Sequence, residues 1–348
     1  MKNTRRNMMN ITVPVTYPSI TSYPTYASLL AVTDLYFQSD YENYMNWYMI
    51  QFINTIQFES TNYIIFDNTL KENTIEYCEI IEREIYNGVQ MQQFGISFFD
   101  FLIDQLKRGY AIFLRINQKC IPQAKVSFDY NHEVLISGYD GDTKKFTVWD
   151  FFDGNKYDCI NIDQVTLLKS LETFGKLNHP DNPDKDKTSK IIAFRKKKQG
   201  IATDTRYDSH LFSFLLERWL KGEKLGNLYY GRACYELLRY DINYCVSNLS
   251  VRTLHVLYDH KVASLKTVIY LMETNKIKYD ESIISNMKKL MELTLLYRNI
   301  LMKHGHMDDL ESVSCKNILL SYLGQIDALD KKVYTQLYKA IHKNFFYI

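Results

Sequence analysis

Two hydrophobic rhythms divide this chain. Up to about residue 200, short alternating runs are interleaved with helical ones; from about residue 209 every apolar run recurs at three and four residues. Alternation predicts strands in 60–68, in Tyr110–Ile116, in both arms of Asn131–Phe152 and in Lys190–Arg195. The helical period predicts helices over 25–37, 41–57, 74–86, 97–108 and 162–175, and then over 209–221, 230–243, 250–274, 279–303, 308–323 and 328–343. The three prolines in 11–24 forbid a helix there and imply an extended lead-in, with the first helix starting near Pro24 or Thr25. The fold class expected is α+β in front and all-helical behind, with domains at 10–200 and 205–348.

The stretch Asn131–Phe152 carries the first candidate chemistry. Asp140-Gly141-Asp142 is a turn cluster between two β-forming arms, which predicts an antiparallel hairpin. With a three-residue loop, Ile136 faces Phe146, Val134 faces Val148 and His132 faces Asp150. A slip of one residue would bury less well and turn every side chain over. An imidazole beside a carboxylate on neighbouring strands is the orienting half of a nucleophilic site, because the carboxylate fixes the tautomer and the other ring nitrogen takes a proton. The same pair can equally be a cross-strand polar contact at a sheet end.

Composition narrows the partners. With 42 basic against 40 acidic residues and a net charge of +2, nothing points to nucleic acid, and Lys196-Lys197-Lys198 reads as solvated linker charge. The six cysteines are scattered without a CxxC pair, which predicts a reduced, cytoplasmic protein without a structural zinc site. The basic start lacks an apolar segment behind it, and no run approaches a membrane span, so neither secretion nor a membrane is expected. Gly222 and Gly226 lack the ending of a phosphate loop, and His304, His306, Asp308 and Asp309 read as a loop with helix caps; no metal or cofactor is expected. Lys261 falls within the apolar stripe of helix 250–274, where it must either pair with a carboxylate or snorkel its amine to an edge. Arg252, His255 and Asp259 line another face and read as a solvated ion-pair stripe.

Several short motifs resemble one known family. They are Tyr23-Pro24-Thr25-Tyr26-Ala27-Ser28, Arg108-Gly109-Tyr110, His132 to Asp140 (HEVLISGYD), Asp150-Phe151-Phe152-Asp153-Gly154, Tyr230-Gly231, and Arg252, His255, His260 and Lys261 on one helix. Together they resemble the butirosin biosynthesis protein H family, papain-like relatives of the C39-type peptidases found in peptide-antibiotic gene clusters. The resemblance implies a papain-like N-terminal domain followed by a helical one. It also implies acyl or aminoacyl transfer through a Cys, His, Asp site, with the acyl group on an acyl or peptidyl carrier protein and a small-molecule amine as acceptor. His132 matches the family's base and Asp150 its orienting carboxylate. The nucleophile departs from the pattern: Thr25 stands where the cysteine should be, and the first cysteine in the chain is Cys78. Thr25 and Ser28 share a helix face, so either hydroxyl is a candidate catalytic nucleophile. Their ordinary roles would be a helix N-cap for Thr25 and core packing for Ser28. Two readings stay open: a hydroxyl-dependent acyltransferase, and a catalytically inactive relative that binds a carrier protein or pathway intermediate.

Overall fold

The structure is a computed structural model, and it describes residues 9–59, 63–67, 75–152, 156–172, 190–197, 207–304 and 310–345. The polar stretch 180–190 apart from Lys190, most of 196–208, and His306, Asp308 and Asp309 lie outside the described residues. In chain order, β1 (Asn10–Thr12) is followed by α1 (Pro24–Thr33), α2 (Tyr41–Phe52), β2 (Thr55–Phe58), β3 (Ile64–Phe66), β4 (Ile81–Asn87), α3 (Gly88–Gln93) and α4 (Phe98–Lys107). Then come β5 (Ala111–Asn117), β6 (Asn131–Asp140), β7 (Lys145–Asp150), β8 (Asp158–Asp163), α5 (Gln164–Leu171) and β9 (Lys190–Lys196). The remainder holds α6 (Ser209–Lys221), β10 (Glu223–Leu225), β11 (Leu228–Tyr230), α7 (Ala233–Tyr244), α8 (Val251–Glu273), α9 (Glu281–Lys303) and α10 (Val313–Phe345). No described helix is long and apolar enough to cross a membrane.

The α+β class holds, but the chain crosses between its two compact units more often than the hydrophobic rhythm suggested. One unit comprises Met1–Ser39 with Thr74–Thr203, and the other Asp40–Asn73 with Asp204–Ile348. Residues 40–73, however, leave the expected domain 10–200 and belong with the C-terminal half.

The first unit is built on an antiparallel sheet in the order β4-β9-β5-β6-β7-β8, with β1 added to the far half of β6. Helix α1 opens on Pro24, whose fixed φ and missing N–H suit a first turn. Every residue of α1 except Thr25 is buried, so this is a core helix without a solvated face. The segment 74–86 was expected to be helical and instead supplies edge strand β4. Its charges explain both readings, since Glu82 pairs with Arg195 and Glu84 with Arg108, blunting an exposed edge that also fits a polar helix face. Strand β8, which pairs with β7 along its whole length, had not been expected.

The second unit is mostly helical but not all-α, because β10, β11, β2 and β3 form a four-stranded sheet in that order. The helices expected at 308–323 and 328–343 are one helix, α10. Gly324 is the sole glycine within it, and one glycine costs a helix only about 1 kcal/mol.

Lys261 chooses the first of its two options. It is fully buried and ion-paired with the equally buried Asp330 of α10. Asp330 also accepts from Trp219 Nε1 at 2.8 Å and from Tyr235 OH at 2.7 Å, so both of its oxygens are used. The ammonium lies 4.3 Å from the Trp219 ring centre and 2.9 Å from His260 Nδ1. His260 in turn donates from Nε2 to the Ile53 carbonyl at 2.7 Å, and burial beside a cation holds its imidazole neutral, with its pKa well below the ordinary value. The stripe of Arg252, His255 and Asp259 is solvated only in part: Arg252 is exposed and His255 half-buried, while Asp259 is buried and Arg298 donates to His255 Nδ1 at 2.6 Å.

Removing one member of a buried pair leaves the other desolvated and uncompensated, which costs about 3–5 kcal/mol. Asp330→Ala strands Lys261, Trp219 and Tyr235 together and should cost that much in denaturant unfolding, more than Lys261→Met. A second expectation concerns pH. Asp241 is buried on α7, its Oδ2 has no hydrogen-bond partner among the described residues, and burial pushes its pKa from 3.8 up to about 6. A carboxyl whose pKa is raised in the folded state binds protons more tightly than the unfolded chain does, so stability falls as pH rises from about 4 towards 6. Asp241→Asn should flatten that slope and raise Tm above pH 6, read from thermal scans across the range.

Candidate active site

The strand β6 carries the site, and its pairing with β7 differs from the expected register in an instructive way. The hairpin loop is longer than three residues: Asp140 pairs with Lys145, and its carboxylate accepts from the Asp142 and Thr143 backbone N–H groups at 2.9 and 3.2 Å. Next to the loop Tyr139, not Ile136, meets Phe146, a displacement of three residues. An odd displacement alone would turn His132 away from the Asp150 face. Between Ile136 and Gly138, however, the pairing shifts at a β-bulge, and beyond it Ile136, not Val134, meets Val148, a displacement of two. The face is thereby restored. Ser137, the bulged residue, is held by Trp149 Nε1 donating to its hydroxyl at 3.0 Å and by the Val13 N–H donating to its carbonyl at 2.8 Å.

His132 and Asp150 therefore meet as the chemistry suggested, though diagonally rather than directly opposite. Nδ1 of His132 lies 2.9 Å from Asp150 Oδ2, with the histidine side chain 13% exposed and the carboxylate 0%. The same oxygen accepts from Gln118 Nε2 at 2.6 Å, while Oδ1 has no side-chain partner among the described residues. Burial raises the Asp150 pKa above the usual carboxylate value, against the opposing pull of His132, the Phe151 backbone N–H and Gln118. With Nδ1–H donating to the carboxylate, Nε2 is the acceptor, and among the described residues nothing occupies it. The Tyr130 ring lies against the imidazole with centres 5.3 Å apart and planes at 31°.

The two hydroxyls are brought to this end of the sheet but are not given to His132. Thr25 Oγ1 donates to Glu133 Oε2 at 3.3 Å, and Glu133 also binds Arg115 at 2.8 Å. His132 and Glu133 are successive residues of one strand, so their side chains leave it on opposite faces. Nor is Thr25 the N-cap: that position is Tyr23, and Thr25 stands inside the first turn. Ser28 is fully buried and shares a hydrogen bond of 3.2 Å with Tyr157 OH, a phenol whose pKa burial drives up. Neither arrangement leaves a hydroxyl hydrogen-bonded to the imidazole. No known protein-family model matches the chain, and no curated protein matches it.

Three contributors were not foreseen: Gln118, Glu133 and Tyr157. Gln118 reaches Asp150 because Asn117 organises the turn after β5, its Oδ1 accepting from the Lys119 and Tyr130 N–H groups at 3.1 and 3.2 Å. The Gln118 N–H then donates to the Tyr130 carbonyl at 2.8 Å, two residues before His132. Nothing in the spacing of Gln118, His132 and Asp150 announces this; the Asn117 turn signal was the sole available hint. No group of three or more metal-ligating side chains is found among the described residues.

The arrangement makes the ring tautomer a measurable property. In the wild type, 15N NMR of the neutral His132 ring should show Nδ1 protonated and Nε2 bare, and Asp150→Ala should release the ring so that the two tautomers exchange. A wild-type ring protonated only on Nε2 would contradict the assignment.

Proposed function

We propose that this protein is a papain-like relative, of the butirosin biosynthesis protein H type, that binds an acyl or aminoacyl group presented on a carrier protein and forms no acyl-enzyme of its own. The observation that carries this reading is where the two hydroxyls point: Thr25 to Glu133 and Ser28 to Tyr157, with His132 Nε2 left to neither. A hydroxyl must lose its proton during attack, and here neither hydroxyl shares a hydrogen bond with the base that would take it. The order of parts supports the family reading: a buried helix, then an antiparallel sheet bearing a histidine on one strand and a buried carboxylate on the next.

The test is incubation with a peptidyl carrier protein carrying an acetyl thioester. A non-covalent complex is expected in native mass spectrometry, with no acetyl ester on Thr25 or Ser28 in the intact mass. The variant Thr25→Cys sharpens the point. Its thiol would stand against the Glu133 carboxylate, which disfavours the thiolate, so iodoacetamide should alkylate it no faster than free cysteine. Accelerated alkylation, or an ester on the wild type, would restore the covalent transferase.

A further inference from the structure

We infer that Phe128, Tyr130 and His132 form a binding subsite for a small neutral aromatic ring that carries an O–H or N–H donor, as a phenol or an indole does. The subsite calls on no carrier protein and no acyl group.

The three side chains stand at alternate positions of the chain and make one continuous row. Ring centres are 5.8 Å apart between Phe128 and Tyr130 and 5.3 Å apart between Tyr130 and His132, within the range of favourable ring contacts. Exposure falls along the row, from 64% at Phe128 to 37% at Tyr130 and then to a half-buried imidazole. The row thus descends from solvent to Nε2 of His132, which has no partner among the described residues. Cover for the imidazole accounts for Tyr130 but not for Phe128, which lies beyond it and mostly in water. The backbone beneath is fixed. The Tyr130 N–H donates to Asn117 Oδ1 at 3.2 Å, and its carbonyl accepts from the Gln118 N–H at 2.8 Å. Asp129, between the two aromatic residues, accepts from Asn117 Nδ2 at 2.9 Å and pairs with Lys119 at 3.3 Å. Aromatic side chains on a backbone pinned in this way give up little freedom when a ligand arrives.

Charge and size define the occupant. Asp129 is paired with Lys119 and Glu133 with Arg115, while Asp150 is fully buried and paired with His132, so none of these carboxylates is free to hold a cation. What remains to recognise a ligand is a set of ring faces and edges with one bare acceptor at the inner end. Ring faces and edges favour another ring, and an acceptor is satisfied by a donor. A protein partner fits less well, because a stable interface takes about 20–30 residues a side and the row offers only these side chains.

The experiment titrates the full chain with para-cresol at neutral pH and follows His132 Nε2 and the Phe128 and Tyr130 ring protons by NMR. Saturable shifts centred on these side chains are expected. The saturated analogue, para-methylcyclohexanol, keeps the hydroxyl and loses the flat ring, and it should bind about tenfold more weakly. The methyl ether of para-cresol keeps the ring and loses the donor, and it should leave Nε2 unmoved. Phe128→Ala removes a side chain that is mostly in water, so the fold persists, and it should weaken para-cresol by about 3- to 10-fold. Tyr130→Ala should weaken it further. Equal affinity for the saturated alcohol would overturn the aromatic preference, and an Nε2 shift just as large with the methyl ether would overturn the donor. Shifts that never saturate, or an affinity unchanged in Phe128→Ala, would overturn the subsite itself. A dimer in sedimentation that Phe128→Ala dissolves would replace the small ligand with a second copy of the chain.

Discussion

The candidate site depends on the parity of one strand. Side chains on β6 alternate between two faces, so a displacement of one residue anywhere between the hairpin loop and His132 would remove the imidazole from Asp150. The loop beyond Asp140 supplies such an odd displacement, and the bulge at Ser137 cancels it. That bulge is fixed from both sides, by Trp149 of β7 and by the backbone of Val13 following β1. A proline-bearing lead-in far from the site in sequence thus helps decide which way His132 faces. Gly138, next to the bulge, leaves the room that β1 occupies, since a Cβ there would stand 3.0 Å from the Ile11 carbonyl oxygen.

The two units each bury a carboxylate completely, and the contrast between them separates structure from chemistry. Asp330 accepts from Lys261, Trp219 and Tyr235, with both of its oxygens occupied inside the core. Such a network specifies one packing of α6, α7, α8 and α10 and leaves nothing for a ligand. Asp150 has a histidine and an amide on one oxygen, no side chain on the other, and a bare ring nitrogen beyond the histidine. A bare ring nitrogen of that kind, on a ring that retains some exposure and is oriented by a buried carboxylate, suits proton transfer.

Much of the helical content was legible because it is long. Helices α6, α7, α8 and α9 repeat their apolar positions over several turns, and a period needs several turns to declare itself. Strands β10 and β11, of three residues each, are too short to show alternation at all. Strand β4 concealed itself differently: Glu82, Arg83 and Glu84 in succession suit a polar helix face as well as an edge strand, and only the pairing with β9 separates the two. The break between α10's two expected halves failed for a related reason, since a lone glycine is a weak stop without tertiary help.

Sequence by itself determined the residue types that can do chemistry and the strands they ride on. A histidine and an aspartate in alternating arms around an Asp-Gly-Asp turn were placed on adjacent strands by local backbone pairing, but the bulge at Ser137 decided that they share a face. Tertiary structure alone decided what each side chain was spent on. Thr25 went to Glu133, Ser28 to Tyr157 and Gln118 to Asp150, contacts that join elements 32 to 129 residues apart. Such partnerships are set by how helix and sheet faces pack, with hydrogen bonds satisfied wherever the packing leaves them, and no periodicity along the chain records the outcome.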